Sequence, residues 1–216
     1  MAESVRCPLC AARDAQKQVA ASSGHYLHCA LCDLVYQVPA QRLASDAERA
    51  HYLTHENEVD DPRYRAFLAQ LAAPLLERLP AGAEGLDYGA GPGPALAAML
   101  AEAGHPTAIY DPYFAPARAA LDRDYDFITC TEVVEHLHDP RSDFDLLARL
   151  LRPNGWLGLM TELRPELAAF PDWYYHRDPT HVCFYSEQTI HWIAARYLWS
   201  VEFVSRRVIL LRAPMP

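Results

Sequence analysis

Two cysteine pairs stand near the start of the chain. Cys7-Pro8-Leu9-Cys10 is followed, after 18 residues, by Cys29-Ala30-Leu31-Cys32. The chemistry this spacing allows is metal binding. Two cysteines three apart aim both sulfurs inward from one tight turn, and two such turns make the tetrahedral four-sulfur shell that zinc favours. A full set leaves no open coordination position, so Cys7, Cys10, Cys29 and Cys32 are expected to hold a structural Zn2+. Free core thiols or a redox pair are the alternatives. A second stretch, Gly85-Leu86-Asp87-Tyr88-Gly89-Ala90-Gly91-Pro92-Gly93-Pro94, reads as a strand entering a glycine turn and then a small-residue helix. Glycine permits positive φ and close approach of a ligand. A helix N-terminus beside the turn offers N–H groups to a polar ligand. Together they suggest a nucleotide-like ligand at the carboxyl end of a parallel sheet. The dinucleotide fingerprint G-x-G-x-x-G is not met, because Pro94 occupies its third glycine position.

The elements that position these groups fall into three parts. Residues 1–38 form the zinc-ribbon-like module, with a hairpin around Ser22-Ser23-Gly24 and a third strand near Leu34 to Val38. So short a segment has almost no core, and the metal would supply most of its stability. Residues 39–61 connect. Ser45 and Glu48 have capping-box spacing, and the polar stretch beyond is either a solvated linker or a lid with His51, Tyr52, His55 and Asn57 facing the ligand. Residues 62–216 begin with an apolar-faced helix after Asp61-Pro62, which Pro74 is expected to kink or break. From Gly85 strands and helices alternate: Leu86–Tyr88, Pro94–Ala103, Thr107–Tyr110, Asp126–Thr131, a helix near Ser142, and Trp156–Met160. Such alternation predicts an α/β fold with a doubly wound, mostly parallel sheet. A helix capped by Ser186 and a terminal hairpin follow, placing an antiparallel edge on that sheet.

Asp111 lies about 20 residues beyond the glycine turn, at the end of the second strand, where a carboxylate can accept both hydroxyls of a ribose. As Tyr-Asp-Pro it is equally a favoured turn residue. The set Asp87-x-Gly89-x-Gly91-x-Gly93 resembles the first motif of class I S-adenosylmethionine-dependent methyltransferases. The strand ending Thr131-Glu132-Val133-Val134-Glu135-His136 resembles their fourth-strand motif, and Leu151-Arg152-Pro153-Asn154-Gly155 the turn before their fifth strand, with Asn154 in place of a glycine. The resemblance covers about residues 62 to 212, and the four-cysteine module accompanies only some members. It implies S-adenosylmethionine as cofactor, held by Asp87, Gly89, Ala90, Gly91, Gly93, Asp111, Pro112, Thr131 and Glu132, and methyl transfer by direct displacement. One departure stands out: only 14 residues separate Asp111 from Asp126. That is too few for a helix, a third strand and an adenine contact, so the third strand is expected to be missing or the helix vestigial.

For catalysis the candidates are His136 and His181. His136 follows the fourth strand, close to where the methyl should lie, or packs there as a helix-start residue. Asp178-Pro179-Thr180-His181 resembles a segment of ubiquinone-type and related small-molecule methyltransferases. His181 there is acceptor wall, structural group or general base, and His176 is a base, orienting or metal-binding candidate. With 216 residues, 51% hydrophobic and 22% charged, the composition is globular, and a net charge of −9 argues against a nucleic-acid backbone as main partner. No apolar run is long enough to span a membrane. No apolar signal region opens the chain, and six cysteines fit metal or free thiols, so the expected location is cytoplasmic. The expected partner is a small-molecule methyl acceptor. The rival readings are a zinc-knuckle ribosomal RNA methyltransferase and a non-catalytic adenosyl-ligand-binding or scaffold protein on the same fold.

Overall fold

The computed structural model describes residues 5–13, 16–54 and 58–215. The N-terminal hairpin consists of β1 (Gln16–Ala21) and β2 (Gly24–Cys29), paired antiparallel from Gln16↔Cys29 to Ala21↔Gly24. β3 (Val35–Gln37) adds to β2. Then come α1 (Ser45–Tyr52), α2 (Pro62–Leu76), β4 (Gly85–Tyr88), α3 (Ala95–Glu102), β5 (Thr107–Tyr110), β6 (Tyr125–Thr131), α4 (Pro140–Leu150) and β7 (Leu151–Met160). The short β8 (Cys183–Phe184), α5 (Glu187–Tyr197), β9 (Ser200–Phe203) and β10 (Val208–Arg212) complete the order.

The main sheet runs β5-β4-β6-β7-β10-β9. β4, β5, β6 and β7 are parallel neighbours, while β10 runs antiparallel to β7 and to β9. The chain leaves β4 towards β5 on one side and returns as β6 on the other. The carboxyl end of β4 is therefore the switch point at which open α/β sheets bind ligands. Between Asp111 and β6 the described residues form one isolated bridge, Asp111 with Ala115, and a single 3-10 turn, Arg118–Leu121. The third strand is missing, as the short spacing implied.

Period-two alternation gives the central strands of the main sheet two buried faces. In β10, Val208 and Leu210 pack with Leu68, Leu71 and Leu75 of α2, while Ile209 and Leu211 share the opposite cluster with α4 and α5. Pro74 does not break α2. It sits in the last turn, and the helix ends two residues later. Ser186 caps α5 as its spacing predicts, with Thr189 as the reciprocal partner. The capping box at Ser45 does not form: Ala44 is the N-cap and makes no side-chain bond. Ser45 and Glu48 turn instead to Tyr113, because tertiary partners compete successfully for their oxygens.

The N-terminal hairpin is joined to the body. β8 pairs with β3, giving a second sheet ordered β1-β2-β3-β8. Tyr26, Val35, Phe170, Tyr175 and Phe184 form a buried cluster between the two parts. The guanidinium of Arg164, almost fully buried, donates to Asp33 O at 3.0 Å and to the Asp33 carboxylate. Among the described residues no helix is long and apolar enough to cross a membrane.

Candidate functional site

Three turns meet at the carboxyl ends of β4, β5 and β6, and a cavity of about 980 Å3 opens between them. The first is the glycine turn. Gly89 has φ +80°, and a Cβ there would lie 2.5 Å from Val133 Cγ2. No larger residue fits without moving the loop after β6. Gly91 has φ +65° with nothing within 4 Å of a built Cβ, so it keeps open space on the cavity side. The N–H groups of this turn are already used. Gly89 N and Ala90 N donate to Tyr110 O at 2.7 and 3.2 Å, and Gly91 N donates to Asp111 Oδ2 at 3.0 Å. The turn offers a ligand room and carbonyls rather than the free donors its sequence suggested.

Asp111 lines the cavity from the second turn, almost fully buried. Its Oδ1 accepts from Tyr113 N and Phe114 N at 2.8 and 2.9 Å. Those bonds fix the rotamer, and a carboxylate still has acceptor capacity beyond three N–H groups. Gly89, Ala90, Gly91, Asp111, Pro112, Thr131, Glu132, His136 and His181 all line the cavity. Asp87 and Gly93 do not. Asp87 is buried beneath the floor and accepts a 2.7 Å bond from Thr129 Oγ1. Burial pushes its carboxyl up to about 6. It braces β4 against β6 rather than reaching a ligand.

The third turn ends β6. Glu132 takes a left-handed conformation, φ +52°, a strained choice for a non-glycine residue. Its Oε2 is 3.1 Å from the Tyr175 hydroxyl, which also donates to Glu135 Oε1. One phenol proton thus serves two carboxyl groups. Burial, then Glu135 beside it, pushes Glu132 up to about 8, against Arg207, whose Nη1 is 3.8 Å away. Tyr175 is likewise held protonated by burial.

His136 and His181 lie ring against ring, centroids 4.8 Å apart. His136 Nδ1 is 3.0 Å from Thr180 O, and His181 Nδ1 is 2.7 Å from Tyr175 O. Burial lowers the His181 imidazole below its ordinary value. Asp178 lies beside it. Burial opposes its ionisation, but the hydroxyl and N–H of Thr180 hold it down at about 2. His176 is elsewhere: its Nδ1 meets Ser23 Oγ and its Nε2 meets Pro171 O, so it ties the aromatic segment to the N-terminal sheet.

α1 lies across the cavity and contributes Glu48 and Tyr52. Glu48 accepts from Tyr113 at 2.7 Å and from Tyr52 at 3.1 Å. His51 Nε2 reaches Asp178 Oδ2 at 3.3 Å. His55 and Asn57, expected in the same lid, lie outside the described residues. Tyr88, Tyr113 and Phe114 are cavity residues that sequence reasoning did not single out. The only signal was position: Tyr88 directly precedes Gly89, and Tyr113 and Phe114 follow Asp111-Pro112.

The four cysteine sulfurs lie within 4.8 Å of one another. Their two turns repeat the same geometry. Cys7 N donates to Ala12 O and Ala11 N to Cys7 O, and Cys29 N donates to Leu34 O and Asp33 N to Cys29 O. Ala11 and Asp33 both adopt φ near +60°.

The profile of a family described as "Methyltransferase domain" matches residues 61–201. No curated protein matches the sequence. Among solved structures, the chain is similar to the 1,6-didemethyltoxoflavin-N1-methyltransferase of Burkholderia thailandensis, solved with 1,6-didemethyltoxoflavin and S-adenosylhomocysteine. The two share 18% identity over 87% of this chain and 98% of that one, with a TM-score of 0.53. It is also similar to the N-methyltransferase NodS of Bradyrhizobium japonicum WM9 in complex with S-adenosylhomocysteine, at 18% identity over 78% and 97% of the two chains and a TM-score of 0.52. At that identity the likeness carries the fold. The matched family spans the glycine turn, Asp111 and the Glu132–His136 turn together, and so the chain belongs to the methyltransferase-domain family, an enzyme of the S-adenosylmethionine-dependent class.

Proposed function

We propose that this enzyme transfers the methyl group of S-adenosylmethionine to a small-molecule acceptor by direct displacement, and that its first four cysteines hold a structural zinc ion. The observation that carries the first part is the cavity itself. One half is built from the glycine turn and Asp111, the other from Glu132, His136, His181 and Tyr175, and its volume is at the upper end of small-molecule sites. That supports two ligands held side by side. Five carboxyl groups, Glu132 with its raised affinity for a proton among them, and two guanidinium groups line it, a balance that suits a cationic ligand.

When bound, S-adenosylmethionine supplies a methyl carbon on a sulfonium, open to in-line attack. The residues present fit it. Gly91 leaves open the room that a Cβ would take, Gly89 lets Val133 pack against the turn, and Asp111 presents a fixed carboxylate to a diol. Ala90, Pro112 and Thr131 complete that wall, and Glu132 stands where the two halves meet. The chain's own contribution to rate is orientation, since in-line displacement depends on alignment. α1 acts as a lid: Glu48, Tyr52 and Tyr113 close one side through their mutual hydrogen bonds, excluding water and large acceptors. The enclosure and the −9 charge favour a small molecule over RNA.

Isothermal titration with S-adenosylmethionine and S-adenosylhomocysteine tests the donor site. Binding of both is expected, and binding of neither would sink the enzyme reading. For the cysteines, the matched geometry of the two turns supports tetrahedral thiolate coordination. Metal analysis of the purified protein is expected to give about one zinc per chain. A metal-free protein with an intact N-terminal sheet would refute it.

A further inference from the structure

We propose that Glu135, His136 and His181 form a second metal site, distinct from the four cysteines, that binds a divalent cation and through it a hydroxyl oxygen of the methyl acceptor. The proposal rests on the methyl-transfer reading and narrows the acceptor to an oxygen nucleophile.

Four observations carry it. First, one ligand atom from each of the three residues lies within 4.8 Å of the others. Second, both imidazoles are set for coordination. Their Nδ1 atoms face the backbone carbonyls Thr180 O and Tyr175 O. A carbonyl only accepts, so Nδ1 carries a hydrogen, and in a neutral ring the lone pair is then on Nε2. Metal-binding histidines are commonly oriented this way, by donating the other ring N–H to a carbonyl. Third, Glu135 is fully buried, and its Oε2 has no hydrogen-bond partner among the described residues. A buried carboxylate oxygen left unpaired is costly, and a cation removes the cost. Fourth, Glu132 converges on the same Tyr175 hydroxyl as Glu135, so two carboxyl groups crowd one low-dielectric spot, and of these two the Arg207 guanidinium meets only Glu132, at 3.8 Å. Backbone bonds hold the arrangement together, since Val182 N donates to Glu135 O at 2.8 Å.

The donor set is imidazole and carboxylate with no sulfur. It suits Mn2+, Fe2+, Co2+ or Zn2+, whereas the cysteine site selects soft-ligand metals. His136 and His181 line the cavity, so open coordination positions would face the acceptor. A cation there lowers the pKa of a hydroxyl bound to it. The acceptor's O–H proton passes to water, the oxygen lone pair forms the new O–C bond, and the C–S bonding electrons return to sulfur as a neutral thioether.

Mn2+ is the probe, because it competes poorly for thiolates. The full chain, zinc-loaded, is titrated with Mn2+ and free ion is followed by electron paramagnetic resonance. One Mn2+ per chain is expected. His181→Gln, His136→Gln and Glu135→Gln should each weaken it on the order of 100-fold, while S-adenosylhomocysteine affinity, read in the same samples, stays within about threefold and certifies the fold. Unchanged Mn2+ affinity in variants that still bind S-adenosylhomocysteine would overturn the site. So would a wild-type protein that binds that ligand but takes up no Mn2+, Co2+ or Zn2+ beyond the cysteine equivalent. A chain that binds Mn2+ but no S-adenosylhomocysteine would sink the donor reading alone. A catechol added to the Mn2+-loaded protein should displace bound water and lower water-proton relaxation. No change with catechol would remove the oxygen-acceptor assignment.

Discussion

The two halves of the cavity are built by opposite means. The half we propose for the methyl donor is backbone: a turn whose shape follows from Gly89 and Gly91, tied to Tyr110 and Asp111 by N–H bonds. The half we propose for the acceptor is side chains: Glu132, Glu135, His136, Tyr175 and His181, which reach one spot from two distant segments. The first half carries its own geometry. The second depends on whatever holds residues 170–184 in place, and that support is the N-terminal sheet, through β3–β8 pairing and the Ser23–His176 contact. A scaffold common to many acceptors gains from such a division, because the acceptor half can vary while the donor half is kept.

The strongest way to break this contrast is to remove the zinc proposed for the four cysteines. Structural zinc contributes on the order of 10 kcal/mol in small modules. Chelation, or Cys32→Ser, should melt the N-terminal sheet and loosen residues 170–184, as read by hydrogen exchange. S-adenosylhomocysteine binding should survive within about tenfold, the allowance for coupling through shared neighbours. If both are lost together, the halves are not independent.

Next in size are the glycines. Gly89→Ala places a methyl into Val133 at a strained φ and should cost about 2–4 kcal/mol, with donor binding lost. Gly91→Ala meets no atom and should cost only about 1–2 kcal/mol for its left-handed conformation. Equal shifts in melting temperature would mean that φ, not crowding, governs the turn.

Tyr175→Phe removes the hydroxyl that serves both glutamates, and should cost about 1–3 kcal/mol. Turnover of the acceptor should fall while donor affinity is unchanged. The opposite split would reverse the assignment of the halves.

The smallest effect is a pH dependence in the donor half. Asp87 is held protonated up to about 6, against 3.8 for a free carboxyl. Between those values the unfolded chain releases a proton that the native state keeps. Stability therefore falls as pH rises from about 4 to about 6, then levels. Asp87→Asn keeps the acceptor for Thr129 and should flatten that segment in denaturant titrations. Asp178, held at about 2, has the opposite sign: its stabilisation is present above the free-carboxyl value and is lost as pH falls through 2.

The glycine turn, the lack of room for a third strand with its helix, the helix at Ser186 and the order of elements along the chain were all legible, because each follows from spacing within a short stretch. Ser45 and Glu48 show where that reasoning stops. Their spacing satisfies a capping box, yet their oxygens go to Tyr113, a residue outside that helix. His136 and His181 were legible as chemistry-bearing residues but not as a pair, and nothing local to Tyr175 marks it as the hydroxyl between two buried acids. The positive φ of Glu132 has no local signature either, since it arises where β6 must turn towards a partner supplied by another segment.

By itself, the sequence determined the α/β alternation, the sulfur spacing of the two knuckles and the shape of the glycine turn, because those depend on backbone preferences between near neighbours. Only the tertiary structure decided that β8 crosses to the N-terminal sheet, that Asp87 braces rather than binds, and that Glu135, His136 and His181 converge. Those outcomes are set by burial and by hydrogen-bond partners 40 or more residues apart in the chain, which compete with local preferences and here override them.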